Sequence, residues 1–449
     1  MGAQDPTTII AISTPRGSGG VGLVRLSGSR ALEIGRLLFD AQPCLGVSAR
    51  HVSYGRVIDG KGRAVDVALA WYLAAPSTYT GEDVVEISAH GSDAVLELVV
   101  DRGIELGARQ AEPGEFTRRA FLNGRMDLMQ AEAVADLIHT QSSQGLRVAY
   151  GVLGGQLSRR VRSLKGQLVD ALSRLEGMLD FVEEVSTADV GNVSQLVSRV
   201  AESARSLGDS FADARVRLNG FRVVLVGKPN VGKSTLLNAL LGQDRSIVTD
   251  TPGTTRDWVE GQVNWAGQTI CLVDTAGLRK AEGTAEEAGI LRTREQIMEA
   301  DLVLEVLDVT REEQTRRTVL SEGVDDSTIT VLSKVDLPHS EASQVAHDTE
   351  AIRVSAVSGE GLQRLQEVIV NRLPKDEGSN GAPSRERHRE ALGMIERCAL
   401  RATDQIGEDA WELAATELQA ALRQTGELLG EGVDEAVLDR IFADFCIGK

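Results

Sequence analysis

The stretch GKPNVGKST, from Gly227 to Thr235, limits what this chain can fold into more than any other. It follows the apolar run FRVVLV and opens the run STLLNALLG, whose patterns are typical of a strand and a helix. The stretch fits G-x-x-x-x-G-K-[ST], in which glycines let backbone N–H groups curl around phosphate oxygens. In this pattern Lys233 reaches the outer phosphates and Ser234 binds Mg²⁺. The sequence therefore predicts a phosphate-binding loop at the end of a buried strand.

Three shorter motifs follow in the order expected of a GTPase. DTAG begins at Asp274 after an apolar run, and SKVD and SA end two later runs. Asp336 of SKVD can accept from the ring N–H groups that guanine presents and adenine does not. Most guanine-reading motifs begin with Asn, so Ser333 predicts the loss of a hydrogen bond worth roughly 0.5–1.5 kcal/mol. The four motifs together favour a GTPase over an ATPase, with reduced nucleotide affinity.

The residues for hydrolysis are less evident. Leu278 occupies the position at which many GTPases carry a Gln that orients water. Glu286 is a candidate for that role, although from the residues alone an exposed Glu on a helix face is the simpler interpretation. No arginine finger is evident, whereas Asn230, Thr254 and Thr255 offer oxygen atoms near the phosphates. A potassium ion is therefore a candidate to replace the arginine.

The pattern of apolar residues along the sequence changes three times. Short apolar runs with glycine turns come first, then long helical spacing without proline, then strands alternating with helices, and finally helices again. We expect a multidomain α/β protein. Its parts are an α+β N-terminal domain at 1–119, a discontinuous helical domain at 120–216 and 377–449, and an inserted P-loop, Ras-like G domain at 217–376.

The composition limits which binding partners and which cellular compartment we expect for this protein. A net charge of -18 over 449 residues argues against a broad nucleic-acid surface, so an RNA partner must meet a local basic patch. The runs RRVRSLK and RERHR are candidates, although such runs are more often solvated faces. Four scattered cysteines predict reduced thiols in a cytoplasmic protein. Because no long apolar run is present, we expect a soluble chain without membrane segments.

The stretch DRIFADFCIGK has apolar residues at helical spacing before Cys446, which predicts that it packs against the protein. Cys446 itself is interpreted as a small buried hydrophobe. The alternative is a reactive thiol, which would need positive charge nearby.

At this point the chain closely resembles the MnmE (TrmE) family of tRNA wobble-uridine modification GTPases, over essentially its whole length. The resemblance rests on these blocks as well as the P-loop: TPRGSGGVGLVRLSG, YTGEDVVEISAHG, EPGEFTRRAFLNGRMDLMQAEAVADLI, IVTDTPGTTRD, DTAGLRKAEGTAEEAGI and FCIGK. It implies an N-terminal domain that binds folate and dimerises, a helical domain built from two segments, and a G domain with K⁺-dependent hydrolysis. It also implies that Glu286 positions the attacking water.

The resemblance implies a full set of nucleotide and metal ligands. The K⁺ ligands would be Asn230, Thr249, Thr251 and Thr254, and the Mg²⁺ ligands Ser234 and Thr255. The GTP-binding residues would be Asn230, Val231, Gly232, Lys233, Ser234, Thr235, Thr249, Asp250, Thr251, Pro252, Gly253, Thr254, Thr255, Asp274, Thr275, Ala276, Gly277, Ser333, Lys334, Val335, Asp336, Ser355 and Ala356.

A second site is implied for 5-formyl- or 5,10-methylene-tetrahydrofolate. The resemblance implies Arg25, Glu86, Arg125 and Lys449 as its residues. Basic side chains would suit the glutamate carboxylate, and a carboxylate would suit the pterin donors. Arg25 and Glu86 lie in strand-like runs, so a surface ion pair is the alternative interpretation. The resemblance leaves open whether Cys446 has a role as a thiol.

The implied partners are tRNA, a second copy of the chain and an FAD-containing protein, MnmG (GidA). With that protein the family forms 5-carboxymethylaminomethyl or aminomethyl uridine at the wobble position. The resemblance implies that this partner supplies the flavin. Two alternatives remain: a GTPase switch in ribosome assembly, and a folate-binding scaffold with a degenerate GTPase.

Overall fold

The computed structural model describes residues 7–140, 142–181, 183, 185–242, 259–274, 296–310, 328–338, 351–374, 381–443 and 445–449. Their contacts divide them into two compact units, each of which contains one β-sheet. The first unit comprises the described residues of Met1–Ile138, Val152–Ala204 and Ala391–Lys449, and the second those of His139–Gly151 and Arg205–Glu390.

The described residues form the following strands and helices. The strands are β1 (Ile9–Ile12), β2 (Gly19–Ser27), β3 (Phe39–Ala41), β4 (Val52–Ile58), β5 (Ala64–Leu73), β6 (Val84–Gly91), β7 (Arg109–Gln110), β8 (Phe221–Val226), β9 (Val259–Trp265), β10 (Gln268–Asp274), β11 (Leu302–Asp308), β12 (Thr328–Ser333) and β13 (Ile352–Arg353). The helices are α1 (Ala31–Leu38), α2 (Asp93–Glu105), α3 (Glu115–Leu122), α4 (Leu128–His139), α5 (Ser143–Leu153), α6 (Gln156–Asp180), α7 (Thr187–Asp209), α8 (Phe211–Asn219), α9 (Lys233–Gly242), α10 (Leu362–Asn371), α11 (Glu386–Gly407), α12 (Trp411–Leu429) and α13 (Glu435–Ala443).

The sheet of the first unit has the strand order β3-β4-β5-β6-β2-β1-β7. Its strands pair antiparallel except for β1 with β7. Helices α1 and α2 pack on one face, over a core that includes Leu26, Ile34 and Ile87. Alternate side chains of β4 point away from that core, as the period of two in a strand requires.

The helical part of the first unit packs along α6 and α12. The buried residues of α6 recur at intervals of three and four, which is the spacing of a helix that buries one stripe. They are Leu157, Ser158, Val161, Leu164, Leu168, Ala171, Leu175 and Met178. A separate cluster joins α4 to α13 through Leu128, Leu438, Phe442 and Phe445.

The sheet of the second unit has the order β13-β12-β11-β8-β10-β9. Strands β8, β10, β11, β12 and β13 run parallel, whereas β9 pairs antiparallel with β10. Both faces of this sheet are buried, so the sequences of β10 and β11 are nearly continuous apolar runs. Leu225, Leu237 and Trp265 belong to the core on one face.

The expected multidomain α/β fold class is confirmed. The boundaries of the three expected domains stay predictions. Among the residues that the structure describes, no helix combines the length and the apolar character needed to cross a membrane.

Candidate functional site

The P-loop connects β8 to α9 in a conformation that its glycines permit. Gly227 has φ +148°, and a Cβ there would lie 2.4 Å from the carbonyl oxygen of Val306. Asn230 has φ +64°, in the left-handed region that Asn tolerates better than most residues. Lys233 Nζ donates to the carbonyls of Gly227 and Lys228, both at 2.9 Å. The loop is thus curled with its lysine placed over it, as phosphate binding requires.

A hydroxyl and a carboxylate meet beside this loop. Ser234 Oγ donates to Asp274 Oδ2, and Asp274 is 1% exposed. The pair forms because β10 runs parallel to β8, with Asp274 opposite Leu225. Two hard oxygen ligands in a shielded position are the donor set that Mg²⁺ prefers.

The predicted guanine-binding residues lie at the end of β12 and directly after β12 and β13. Ser333 is buried, and its Oγ lies 2.6 Å from the carbonyl oxygen of Val231 and 2.9 Å from that of Leu307. Its single hydrogen is therefore donated to one of these carbonyls at a time. Asp336 is exposed, and Ser355 is buried, where it accepts from the amide of Ser358. The structure thus places the Ser333 hydroxyl between the P-loop backbone and the end of β11.

A carboxylate that the sequence analysis did not select lies next to this segment. Asp308 ends β11, opposite Ser333 in register, and its side chain is 0% exposed. Its Oδ2 accepts from Lys334 Nζ at 2.6 Å. Burial alone would raise the pKa of Asp308, but hydrogen bonds from Lys334 and Thr310 outweigh it and hold the pKa below its usual value. The available signal was a lone Asp at the end of an apolar run, which fits a strand end equally well.

Several predicted site residues lie outside the described residues, so their placement is not part of this geometry. They are Thr249, Asp250, Thr251, Pro252, Gly253, Thr254, Thr255, Thr275, Ala276, Gly277 and Glu286. Their roles stay predictions.

Three of the four predicted folate residues converge in the first unit. Arg25 Nε donates to Glu86 Oε1 at 2.7 Å, because β2 and β6 place the two residues opposite each other. Trp71 donates to the other oxygen of Glu86 at 2.8 Å. The Arg25 and Glu86 side chains are only 14% and 13% exposed, so this is not a surface ion pair. Burial lowers the pKa of Lys449, Arg25 lowers it further, and Glu86 and Cys446 act in the opposite direction.

Arg25 also lies between two aromatic rings. Its guanidinium carbon is 5.6 Å from the ring centroids of both Tyr79 and Phe116, within the range of cation–π attraction. Arg125 is exposed, and its stem lies beside Gly81. The described contacts therefore pair Arg25 with Glu86, electrostatic interactions link both residues to Lys449, and no described contact joins Arg125 to them.

The tail that ends in CIGK is docked onto the start of α3. The amide of Phe116 donates to the carbonyl of Lys449 at 3.2 Å, and Ile447 forms an antiparallel bridge with Pro113. Gly448 has φ +93°, and a Cβ there would lie 2.2 Å from the carbonyl oxygen of Ile12. The close approach of the tail to β1 therefore depends on a glycine at this position.

A cavity of about 700 Å³ opens beside the tail. Ile12, Thr14, Cys446 and Lys449 are among the residues that line it. Cys446 is exposed, so its interpretation as a buried hydrophobe is wrong. The docked backbone turns this side chain out of the core, which apolar spacing along the sequence could not reveal.

The second unit has the features of a P-loop nucleotide-binding domain of the GTPase class: a P-loop after a central parallel strand, a Ser–Asp pair beside it and a base-side SKVD segment. The model for the N-terminus of the GTP-binding protein TrmE matches residues 8–125, and the model for the MnmE helical domain matches residues 128–446. The chain belongs to the MnmE family of tRNA modification GTPases.

Individual relatives agree with this assignment. A tRNA modification GTPase MnmE of Moorella thermoacetica is 40% identical, with 98% of this chain and 99% of the relative covered. One from Geobacter sulfurreducens is 41% identical, with the same shares covered. Among solved structures, the G domain of the T. maritima FeoB iron transporter is 31% identical over 34% of this chain and 99% of that chain, with a TM-score of 0.26.

Replacing Gly448 by Ala should detach the tail, because the new Cβ would overlap the Ile12 carbonyl. Hydrogen–deuterium exchange followed by mass spectrometry measures the result. The amides of Gly114 and Phe116, which donate to the tail carbonyls of Cys446 and Lys449, should exchange faster in the variant.

Gly432→Ala is the matched control. Gly432 also has a positive φ, +69°, but nothing lies within 4 Å of a Cβ built there. This control should leave exchange at Gly114 and Phe116 unchanged. Equal protection in all three proteins would show that the tail is not held by Gly448.

Proposed function

We propose that the protein is a K⁺-dependent GTPase that works with an FAD-containing partner, MnmG (GidA). Together they form 5-carboxymethylaminomethyl or aminomethyl uridine at the tRNA wobble position, using a folate one-carbon unit. The observation that carries the proposal is that a P-loop site and the Arg25–Glu86–Lys449 cluster occur in one chain of this family. Nucleotide and folate thus have separate sites.

The P-loop side chains supply much of the nucleotide site. Lys233 already donates to loop carbonyls, and these bonds can be exchanged for bonds to phosphate oxygens. Asp336 is exposed and free to accept from the guanine N–H groups. Ser355 and Ala356 close the base side in this proposal, and Glu286 holds the attacking water.

The donor atoms fit the proposed ions. Ser234 and Asp274 supply oxygen atoms on the Mg²⁺ side, with Thr255 as the further ligand. Asn230 is exposed at the turn of the P-loop and supplies its side-chain oxygen for K⁺, with Thr249, Thr251 and Thr254 completing the set. When bound, the two cations neutralise charge on the phosphates.

Folate binding in this proposal uses the tail cluster and the adjoining cavity. Glu86 is held by Arg25 and Trp71, so it is oriented before a pterin binds. Lys449 offers a partly buried ammonium for the glutamate carboxylate. Arg125, which no described contact joins to this cluster, would contact another part of the cofactor.

Homodimerisation is proposed through the exposed face of β4 and β5. Tyr54 pairs with Leu69 and Val52 with Trp71 on that face. Tyr54, Val52 and Leu69 are 69%, 53% and 44% exposed, which is unusual for neighbouring apolar residues. A second copy would remove them from water.

We also propose tRNA as the RNA partner and the cytoplasm as the compartment.

The function is tested by mass spectrometry of tRNA nucleosides from cells that lack the protein. The modified wobble uridine should disappear and return when the gene is restored. If it persists while the purified protein still hydrolyses GTP, a GTPase switch without modification chemistry is the better assignment.

Glu286→Ala should keep GTP binding and lose hydrolysis, because water would no longer be oriented. Phosphate release measured in KCl should fall by about 100-fold or more, while Glu287→Ala, its neighbour, retains activity. Unchanged turnover in Glu286→Ala would remove that residue from its role.

Wild-type hydrolysis should be stimulated by K⁺ and not by Na⁺. Equal rates in the two salts would contradict the K⁺ site.

Lys449→Met should weaken 5-formyl-tetrahydrofolate binding by about tenfold, the scale of one charge-assisted hydrogen bond. The Arg25–Glu86 pair stays intact in this variant, so the fold should be kept. Isothermal titration calorimetry measures the affinity, and Lys61→Met, at an exposed loop residue of the same unit, is the control. Equal affinity in the two variants would exclude Lys449 as a folate ligand.

A further inference from the structure

Asp308 is a charged group that the proposed mechanism does not use. It is fully buried at the carboxyl end of β11. Oδ1 accepts from the amide of Thr310 at 2.9 Å and from its hydroxyl at 2.7 Å, and Oδ2 accepts from Lys334 Nζ. Burying a carboxylate is costly unless its oxygens are bonded in this way.

Lys334 extends the contact to the phosphate side. Its Nζ also donates to the carbonyl of Asn230 at 2.8 Å, and its stem passes close to Gly232. The side chain is 32% exposed, so without a buried anion its ammonium could turn to solvent. Asp308 therefore selects the orientation in which Lys334 lies across the P-loop.

The backbone on both sides of this contact is under constraint. Asn230 and Lys334 have φ of +64° and +62°, which non-glycine residues adopt only at a cost in free energy. A neighbouring contact, from Ser333 Oγ to the Val231 carbonyl, joins the same two segments. The base-side and phosphate-side loops are thus tied together at two adjacent points.

We propose that Asp308 is a positioning residue of the nucleotide site: by holding Lys334 against the Asn230 carbonyl, it fixes the guanine-binding segment relative to the P-loop before nucleotide binds. The inference rests on the proposed GTPase function and deepens it. Asp308 touches neither base nor phosphate in this proposal, and it acts only through Lys334. Its contribution is to nucleotide affinity and not to the hydrolysis step.

The test uses the full chain and the fluorescent probe mant-GDP. Asp308→Asn keeps the shape of the side chain but removes its negative charge, and because its amide nitrogen cannot accept, the bonds from Lys334 and from Thr310 can no longer both be made. The variant should release mant-GDP about tenfold faster, in line with the loss of a hydrogen bond between charged groups. It should raise KM for GTP by a similar factor and leave kcat within about twofold.

The matched control is Asp301→Asn, which removes a carboxylate just before the other end of β11. Asp301 pairs with Arg215 and accepts from the amide of Arg222, at the end of the strand away from the P-loop. It should lower the melting temperature without changing mant-GDP release. Faster release in both variants would mean that any loss of charge in this strand loosens the site, and would overturn the assignment.

A double-mutant cycle separates positioning from stability. Lys334→Met should speed release by itself, and Asp308→Asn should add little in that background because its effect passes through Lys334. Fully additive effects would overturn the proposal. If Asp308→Asn does not fold, Thr310→Val removes one bond to Oδ1 and should give a smaller increase in release that is also absent in the Lys334→Met background.

The outcomes distinguish an error in the proposed GTPase function from an error in the proposed role of Asp308. A wild-type protein that does not bind mant-GDP would contradict the GTPase function itself. Wild-type binding with unchanged release and KM in Asp308→Asn would overturn only the role of Asp308.

Discussion

The parallel pairing of β8 with β10 and β11 is the constraint on which the nucleotide site depends. The connection from β8 leads to β9 on one side of the sheet, whereas the chain after β10 continues to β11 on the other side of β8. The crevice at the carboxyl end of β8 is therefore the place where α/β sheets bind ligands. The P-loop leaves β8 at this crevice, Asp274 ends one neighbour and Asp308 ends the other. One backbone arrangement therefore determines the position of each of these groups.

The N-terminal sheet organises its site by a different principle. Except for β1 with β7, its strands pair antiparallel, and its charged cluster is built across neighbouring strands and not at their ends. Trp71, Glu86 and Arg25 form a row across β5, β6 and β2 because the register aligns them. The third charge of the cluster comes from the tail, which is held by backbone hydrogen bonds to the start of α3.

Strong local patterns were readable from the sequence, and contacts made across the sheet were not. The runs before Gly227 and Asp274 predicted buried strands because both faces of a parallel strand are apolar. Strands β4 and β9 lack that signature, because their residues are partly exposed or pair antiparallel, and they are not predicted. The SKVD motif and the family resemblance predict Ser333 and Lys334 as site residues, but their contacts with Val231 and Asn230 depend on pairing between strands far apart in sequence. Asp308 was missed for the same reason.

The docking of α13 and the tail on α3 joins residues that are very distant along the chain. Arg118 and Glu435, which pair there, are 317 positions apart. At about 5–20 residues per second, synthesis of that interval takes roughly 15–60 s. The N-terminal sheet thus leaves the ribosome long before its tail exists. During that interval Arg25 and Glu86 can pair, but Lys449 cannot join them, so the nascent chain holds an open, incomplete cluster until the last helix has formed.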